Sequence, residues 1–269
     1  MENKTEEKQE SLKHRLFHGS LGLHQAVARK FGGEVRFIPK GHLDETKVVT
    51  QHMAYDNVSK TMAPEYACQW DYVRYRTIEL IAEEIHRNKT EGDVAEAGVD
   101  YGDCSWIING AFSDRTMYLY DTFRGFDKRD VEKETEHNYT SEAFYQSANY
   151  FLREQFKTAE DQIAYVKSRL PHPENAFFRA GYFPETAEGE KENRFAFVSL
   201  DMDLYQPILN GILFFWPRLN DGGYIMIHDY NHREFKGIKD AIAEAEKSLG
   251  KLPKMPLPDQ GGTIVLIKP

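Results

Sequence analysis

A chain of 269 residues, 41% hydrophobic and with 17 Phe and 15 Tyr, is long enough for one large domain with a sizeable core. Its formal net charge of −9 argues against nucleic acid or an anionic membrane surface as the main partner, while leaving room for a local anionic ligand. No apolar run approaches the roughly 18 residues of a membrane span, MENKTEEKQESLKHR lacks an apolar signal core, and two cysteines, Cys68 and Cys104, rule out a cysteine-based zinc site by count, so a soluble cytoplasmic protein with reduced thiols is expected.

Residues 1–60 read as an N-terminal extension of helical and loop character, polar to about residue 20 and weakly periodic beyond, suited to a lid or an oligomer contact. Residues 61–269 read as one domain. Tyr66, Trp70, Val73, Ile78, Ile81 and Ile85 recur at near-helical spacing and predict a helix with Pro64 in its first turn. GDVAEAGV (92–99) predicts a buried strand, CSWIINGAF (104–112) a helix and TMYLYD (116–121) a second strand. Residues 127–150 are charged and Tyr-rich without a core period, and predict an insertion over the sheet whose Tyr139, Tyr145 and Tyr150 suit ring stacking or lid packing. TAEDQIAYVKSRL (158–170) predicts a helix capped by Thr158, with Asp161 three residues on and Ile163, Val166 and Leu170 on one face. Strands follow at 175–181 and 194–201, then the helix PILNGILFFWPRL, a strand GGYIMIHD, the helix GIKDAIAEAEKSL and a last strand in GGTIVLIKP.

This alternation predicts an α/β fold with a doubly wound, mostly parallel sheet. Ligands of such sheets lie beyond the carboxyl ends of the strands. Glu96, Asp121, Asp201 and Asp229 all fall at or near such ends, where their mutual repulsion calls for cations or donors. Gly98 and Gly102, spaced G-x-x-x-G between strand and helix, allow close backbone approach to a ligand. The spacing is neither a dinucleotide fingerprint nor a P-loop. A carboxylate at Glu96 can order the turn and attract an ammonium, and one at Asp121 can accept both hydroxyls of a ribose. S-adenosylmethionine combines these features.

GDVAEAGVDYGD, LYDTFRGF, AGYFPET, LDMDLYQP and GGYIMIHDY resemble, in order and spacing, the successive motifs of the macrocin O-methyltransferase (TylF-like) family over about Thr61 to Lys247. The resemblance implies a class I methyltransferase that moves a methyl group from S-adenosylmethionine to a sugar hydroxyl of a small metabolite. It implies that Thr61 and Met62 cover the cofactor and that Glu96, Gly98, Gly102, Ser105, Asp121 and Gly181 bind it.

The resemblance also implies a divalent cation, usually Mg2+, on Asp201 and on an acidic pair ending the fifth strand, where this chain has His228 and Asp229. Imidazole suits Mn2+, iron or zinc better than Mg2+, so either the metal differs, or His228 supports the ligands, or the site is weakened. A cation holding two neighbouring hydroxyls would lower their pKa and fix one in line with the methyl group. The family's base, a histidine of the insertion, falls near Asn149 here; His137 is the nearest histidine, and Asp201 is the other proton acceptor. Asp203, ahead of Pro207, reads as an N-cap of the next helix. A homodimer or larger assembly through residues 21–60 is expected. The alternatives are a metal-independent methyltransferase and a non-catalytic, cofactor-binding partner protein.

Overall fold

Residues 72–139, 156–232, 234–259 and 261–269 are described by the computed structural model. The extension 1–60, Thr61, Met62, Pro64, Cys68, Tyr145, Asn149 and Tyr150 lie outside these residues.

Helix α1 (Tyr72–Asn88) carries Ile78, Ile81, Ala82 and Ile85, where Ile81 and Ala82 lie three and four residues after Ile78 and four and three before Ile85, and all are buried. Arg74 and Tyr75, one turn earlier, share that buried side. Then follow β1 (Asp93–Ala97), α2 (Asp103–Ala111), β2 (Met117–Asp121), α3 (Lys128–Glu136), α4 (Ala159–Arg169), β3 (Ala176–Ala180) and β4 (Phe195–Leu200). The chain closes with α5 (Tyr205–Phe215), β5 (Leu219–Ile227), α6 (Gly237–Leu249), β6 (Lys254–Pro256) and β7 (Ile264–Ile267). The expected α/β alternation is present. β6 is an addition that sequence reading passed over: three exposed residues, one of them proline, carry no strand period.

The strands form one sheet in the order β3-β2-β1-β4-β5-β7-β6. β1 to β5 run parallel, and β7 pairs antiparallel with both β5 and β6. Every residue of β4 is buried, as a central parallel strand covered on both faces requires. The order reverses between β1 and β4, which opens a crevice beyond their carboxyl ends. The ladder places Ala97 opposite Leu200 and Leu200 opposite Ile227. Each strand's next residue therefore reaches the same edge: Gly98, Asp201 and His228.

Helix α4 has the full capping box, with the Thr158 side chain accepting from Asp161 N and the Asp161 carboxylate accepting from Thr158 N. Two expectations change. Residues 128–136 form a helix that buries Asp130 and Glu134, so its core period is written in carboxyls rather than apolar side chains. Asp203 does not cap α5; the N-cap is Leu204, with no side-chain bond of its own, and the amide of Tyr205 donates instead to the Glu134 carboxylate. The insertion thus supplies the cap that the local sequence lacks. None of the described helices is long and apolar enough to cross a membrane.

Candidate active site

The carboxyl edge of the sheet carries unusual backbone. Asp100, Phe123, Asp203 and Asp229, each shortly after a parallel strand, have φ of 46°, 53°, 61° and 55°. Non-glycine residues in the left-handed region cost energy and persist where the surrounding structure holds them, often at functional sites. Asp100, Asp203 and Asp229 line a cavity of about 390 Å³, which falls in the size range of small-molecule sites.

One end of this cavity is the β1–α2 turn. Gly98 has φ 90°, and a Cβ there would overlap the backbone carbonyl of Asp201. Its first duty is therefore to let β1 and β4 end side by side. Gly102 has φ 79°, and a Cβ there would sit 2.6 Å from Val166 Cγ1, so this glycine seats α2 against α4 and does not line the cavity. The Asp121 carboxylate accepts from Val99 N at 2.7 Å, Asp100 N at 3.2 Å and Phe123 N at 2.7 Å. It organises the turn and also faces the cavity. Gly181 lines the cavity as well and donates its amide to the Asp121 carbonyl at 2.9 Å.

Glu96 is fully buried in β1. Ser105 donates its hydroxyl to Glu96 Oε2, while Oε1 has no hydrogen-bond partner among the described residues. Burial pushes this carboxyl up to about 8, against the opposing effects of the Ser105 hydroxyl and the Arg74 guanidinium. Ser105 lies behind Glu96 rather than on the cavity wall. A buried carboxylate oxygen without a donor fits a ligand ammonium.

The other end is formed by β4 and β5. His228 Nδ1 stands 3.1 Å from Asp201 Oδ1 and 3.2 Å from Asp229 Oδ2. These three groups place one donor atom each within 4.8 Å of one another. Arg74 donates to Asp201 Oδ2 at 2.9 Å. Burial opposes the charge on Asp201, but His228 and Arg74 outweigh it and hold this carboxyl well below the usual range. Burial and Arg74 likewise oppose a charged His228, yet Asp201 and Asp229 raise it to about 11. Asp203 is pushed well up by burial and by the carboxylates of Asp201 and Asp229. One imidazole between two carboxylates, with a third carboxyl kept neutral beside them, is a donor set that fits a divalent cation in place of the imidazole proton.

Of the residues singled out in the sequence, Glu96, Gly98, Asp121, Gly181, Asp201, His228 and Asp229 converge on this cavity. His137 does not. It ends α3, is exposed, and packs its ring against Tyr139 and Tyr205, with centroids 5.3 and 4.9 Å away. Three wall or support residues escaped sequence reading. Arg74 is in phase with Ile78, Ala82 and Ile85, and a cation on an apolar stripe is the signal that marked it. Asp130 and Glu134 stand four apart on a charged helix, a spacing that reads as a solvated face until α5 is seen to cover it. Asp130 lines the cavity and accepts from the Tyr182 hydroxyl at 2.9 Å.

The profile of the macrocin-O-methyltransferase (TylF) family matches residues 46–251. Over 189 residues the chain is 25% identical to mycinamicin III 3''-O-methyltransferase of Micromonospora griseorubida, covering 65% of this chain and 73% of that one. Over 198 residues it is 26% identical to 8-demethyl-8-(2,3-dimethoxy-alpha-L-rhamnosyl)-tetracenomycin-C 4'-O-methyltransferase of Streptomyces olivaceus, covering 64% and 70%. The solved structure of CalS11, calicheamicin methyltransferase, shares the fold with a TM-score of 0.58 at 16% identity, covering 87% of this chain and 94% of that one. The chain belongs to the macrocin-O-methyltransferase family.

Proposed function

We propose that this enzyme methylates a hydroxyl on the sugar of a glycosylated natural product, with S-adenosylmethionine as donor and a divalent cation at Asp201, His228 and Asp229. The observation that carries this reading is the register of β1, β4 and β5, which turns two carboxylates and an imidazole toward the cavity that the Gly98 turn and Asp121 also face. The relatives support the acceptor class: one is named for the 3'' position of mycinamicin III and the other for the 4' position of a rhamnosyl-bearing tetracenomycin.

At the donor end, Glu96 Oε1 would take the ammonium of S-adenosylmethionine, and the turn held by Asp121 would take its ribose. Asp201 Oδ1, His228 Nδ1 and Asp229 Oδ2 would hold the cation. When bound, that ion lowers the pKa of a sugar hydroxyl and limits its orientation. Phe126, Phe183 and Phe235 supply apolar wall against which a ring can rest. Asp203 lines the same wall beside Asp229 as a neutral carboxyl, while Asp201, kept ionised by His228 and Arg74, is the carboxylate able to take up the hydroxyl proton. We propose that the enzyme works as a homo-oligomer.

The test is methyl transfer from labelled S-adenosylmethionine to a panel of glycosylated macrolides and aromatic polyketides. Activity on free sugar hydroxyls that is lost with EDTA and restored by Mg2+ or Mn2+ is expected. A second reading keeps the acceptor and drops the cation, because Arg74 and His228 already balance Asp201 and Asp229. Full activity in EDTA would select it.

A further inference from the structure

The amino-acid head of S-adenosylmethionine is a zwitterion, so a buried site for it needs a cation as well as a carboxylate. Resting on the donor assignment above, we propose that Arg74 binds the carboxylate of that head, opposite the ammonium site on Glu96.

The surroundings of the two residues carry this assignment. Glu96 spends Oε2 on the Ser105 hydroxyl and keeps Oε1 without a partner among the described residues. Arg74 is 5% exposed, lines the same cavity, and lies close enough to Glu96 to act on its charge. Its Nη2 is pinned at 2.9 Å from Asp201 Oδ2 and 3.6 Å from Cys104 Sγ. A guanidinium presents its N–H donors in a rigid fork that matches a carboxylate, and these two contacts orient that fork at the cavity wall.

Competing cations are few. Among the described residues of the cavity wall the basic side chains are Arg74 and His228. The His228 Nδ1 is committed between Asp201 and Asp229. The remaining charged wall is acidic and repels a carboxylate. Arg74 thus completes a plus-minus pair complementary to the minus-plus head, and through Asp201 it fixes that head against the β4 tip.

The experiment compares two ligands that share the nucleoside and the thioether. S-adenosylhomocysteine has the amino-acid head, and 5'-methylthioadenosine lacks it. Calorimetric titration of the wild type, Arg74→Met and Arg74→Lys with both ligands separates binding of the head from integrity of the fold. Arg74→Met is expected to weaken S-adenosylhomocysteine by about tenfold or more, the scale of a lost charged hydrogen bond, and to leave 5'-methylthioadenosine within about twofold. Arg74→Lys should fall between, since an ammonium keeps the charge and loses the fork. Unchanged S-adenosylhomocysteine affinity, or an equal loss for both ligands, would overturn the assignment. If Arg74→Met does not fold, Arg74→Lys decides by the same comparison: a selective loss supports the assignment and equal shifts overturn it. A wild type that binds neither ligand would instead overturn the donor assignment itself.

Discussion

His228 meets Asp201 at 3.1 Å because β4 and β5 pair in a register that sets Leu200 opposite Ile227. The contact comes from the ladder, the most rigid part of the fold, and not from loop conformation. Asp229 then turns back toward the same imidazole in a left-handed backbone, with φ 55°. Gly261 packs against this pair; a Cβ there would sit 2.5 Å from Asp229 Oδ1. The β6–β7 connection therefore closes one side of the imidazole and leaves Nδ1 facing the carboxylates.

Asp121 carries two loads, and its removal should show both. Asp121→Ala takes away the acceptor for the amides of Val99, Asp100 and Phe123. Stability in urea is expected to drop by about 1–3 kcal/mol, and S-adenosylhomocysteine affinity by about 1.5–3 kcal/mol. Full ligand affinity in the variant would mean that Asp121 serves the turn alone.

The two uses of glycine in this fold can be separated by one methyl group. Gly98→Ala adds overlap with the Asp201 carbonyl to a φ of 90°, and a loss of at least about 3 kcal/mol is expected. Gly250→Ala has φ 78° and ψ −176° with nothing within 4 Å, so only the backbone cost of about 1–3 kcal/mol should appear. Equal losses in denaturant would show that Gly98 is needed for its conformation and not for the close approach of β1 to β4.

β2, β4 and β5 were legible because their buried runs end at Asp121, Asp201 and His228, a pattern that survives in sequence. The G-x-x-x-G turn was visible too, but its division of labour was not. Gly102 faces Val166, a residue 64 positions away, and no local pattern announces that contact. Asp203 looked like a cap because aspartate before a helix usually is one. The cap came instead from Glu134, through a helix whose buried face is carboxyl and so has no hydrophobic period. His137 looked close to the chemistry in chain order, and the fold turned it outward onto Tyr139 and Tyr205.

Glu134 should make the stability of the protein depend on pH. Burial pushes its carboxyl from the ordinary 4.5 up to about 7, against the pull of the Tyr205 amide. The folded state therefore holds a proton that the unfolded chain releases. This contribution is full below about 4.5 and is lost as pH rises through about 7. Glu134→Gln can still accept from the Tyr205 amide and cannot ionise. Relative to wild type it is expected to gain about 1–3 kcal/mol between pH 5 and pH 8 in parallel urea titrations. Curves that stay parallel across that range would show the carboxylate to be solvated.

The proposed cation site can be tested directly with free Mn2+ by electron paramagnetic resonance, titrating wild type, Asp201→Asn and Asp229→Asn. One bound Mn2+ per chain is expected in the wild type, weakened by about tenfold or more in either variant, with the ion displaced by Mg2+. Because His228 is raised to about 11 without the ion, its ligation should release a proton and strengthen Mn2+ binding as pH rises from 7 to 9. Wild-type protein that leaves the Mn2+ signal unchanged at millimolar ion, or binds it as well with Asp201→Asn, would contradict the cation site at the tips of β4 and β5.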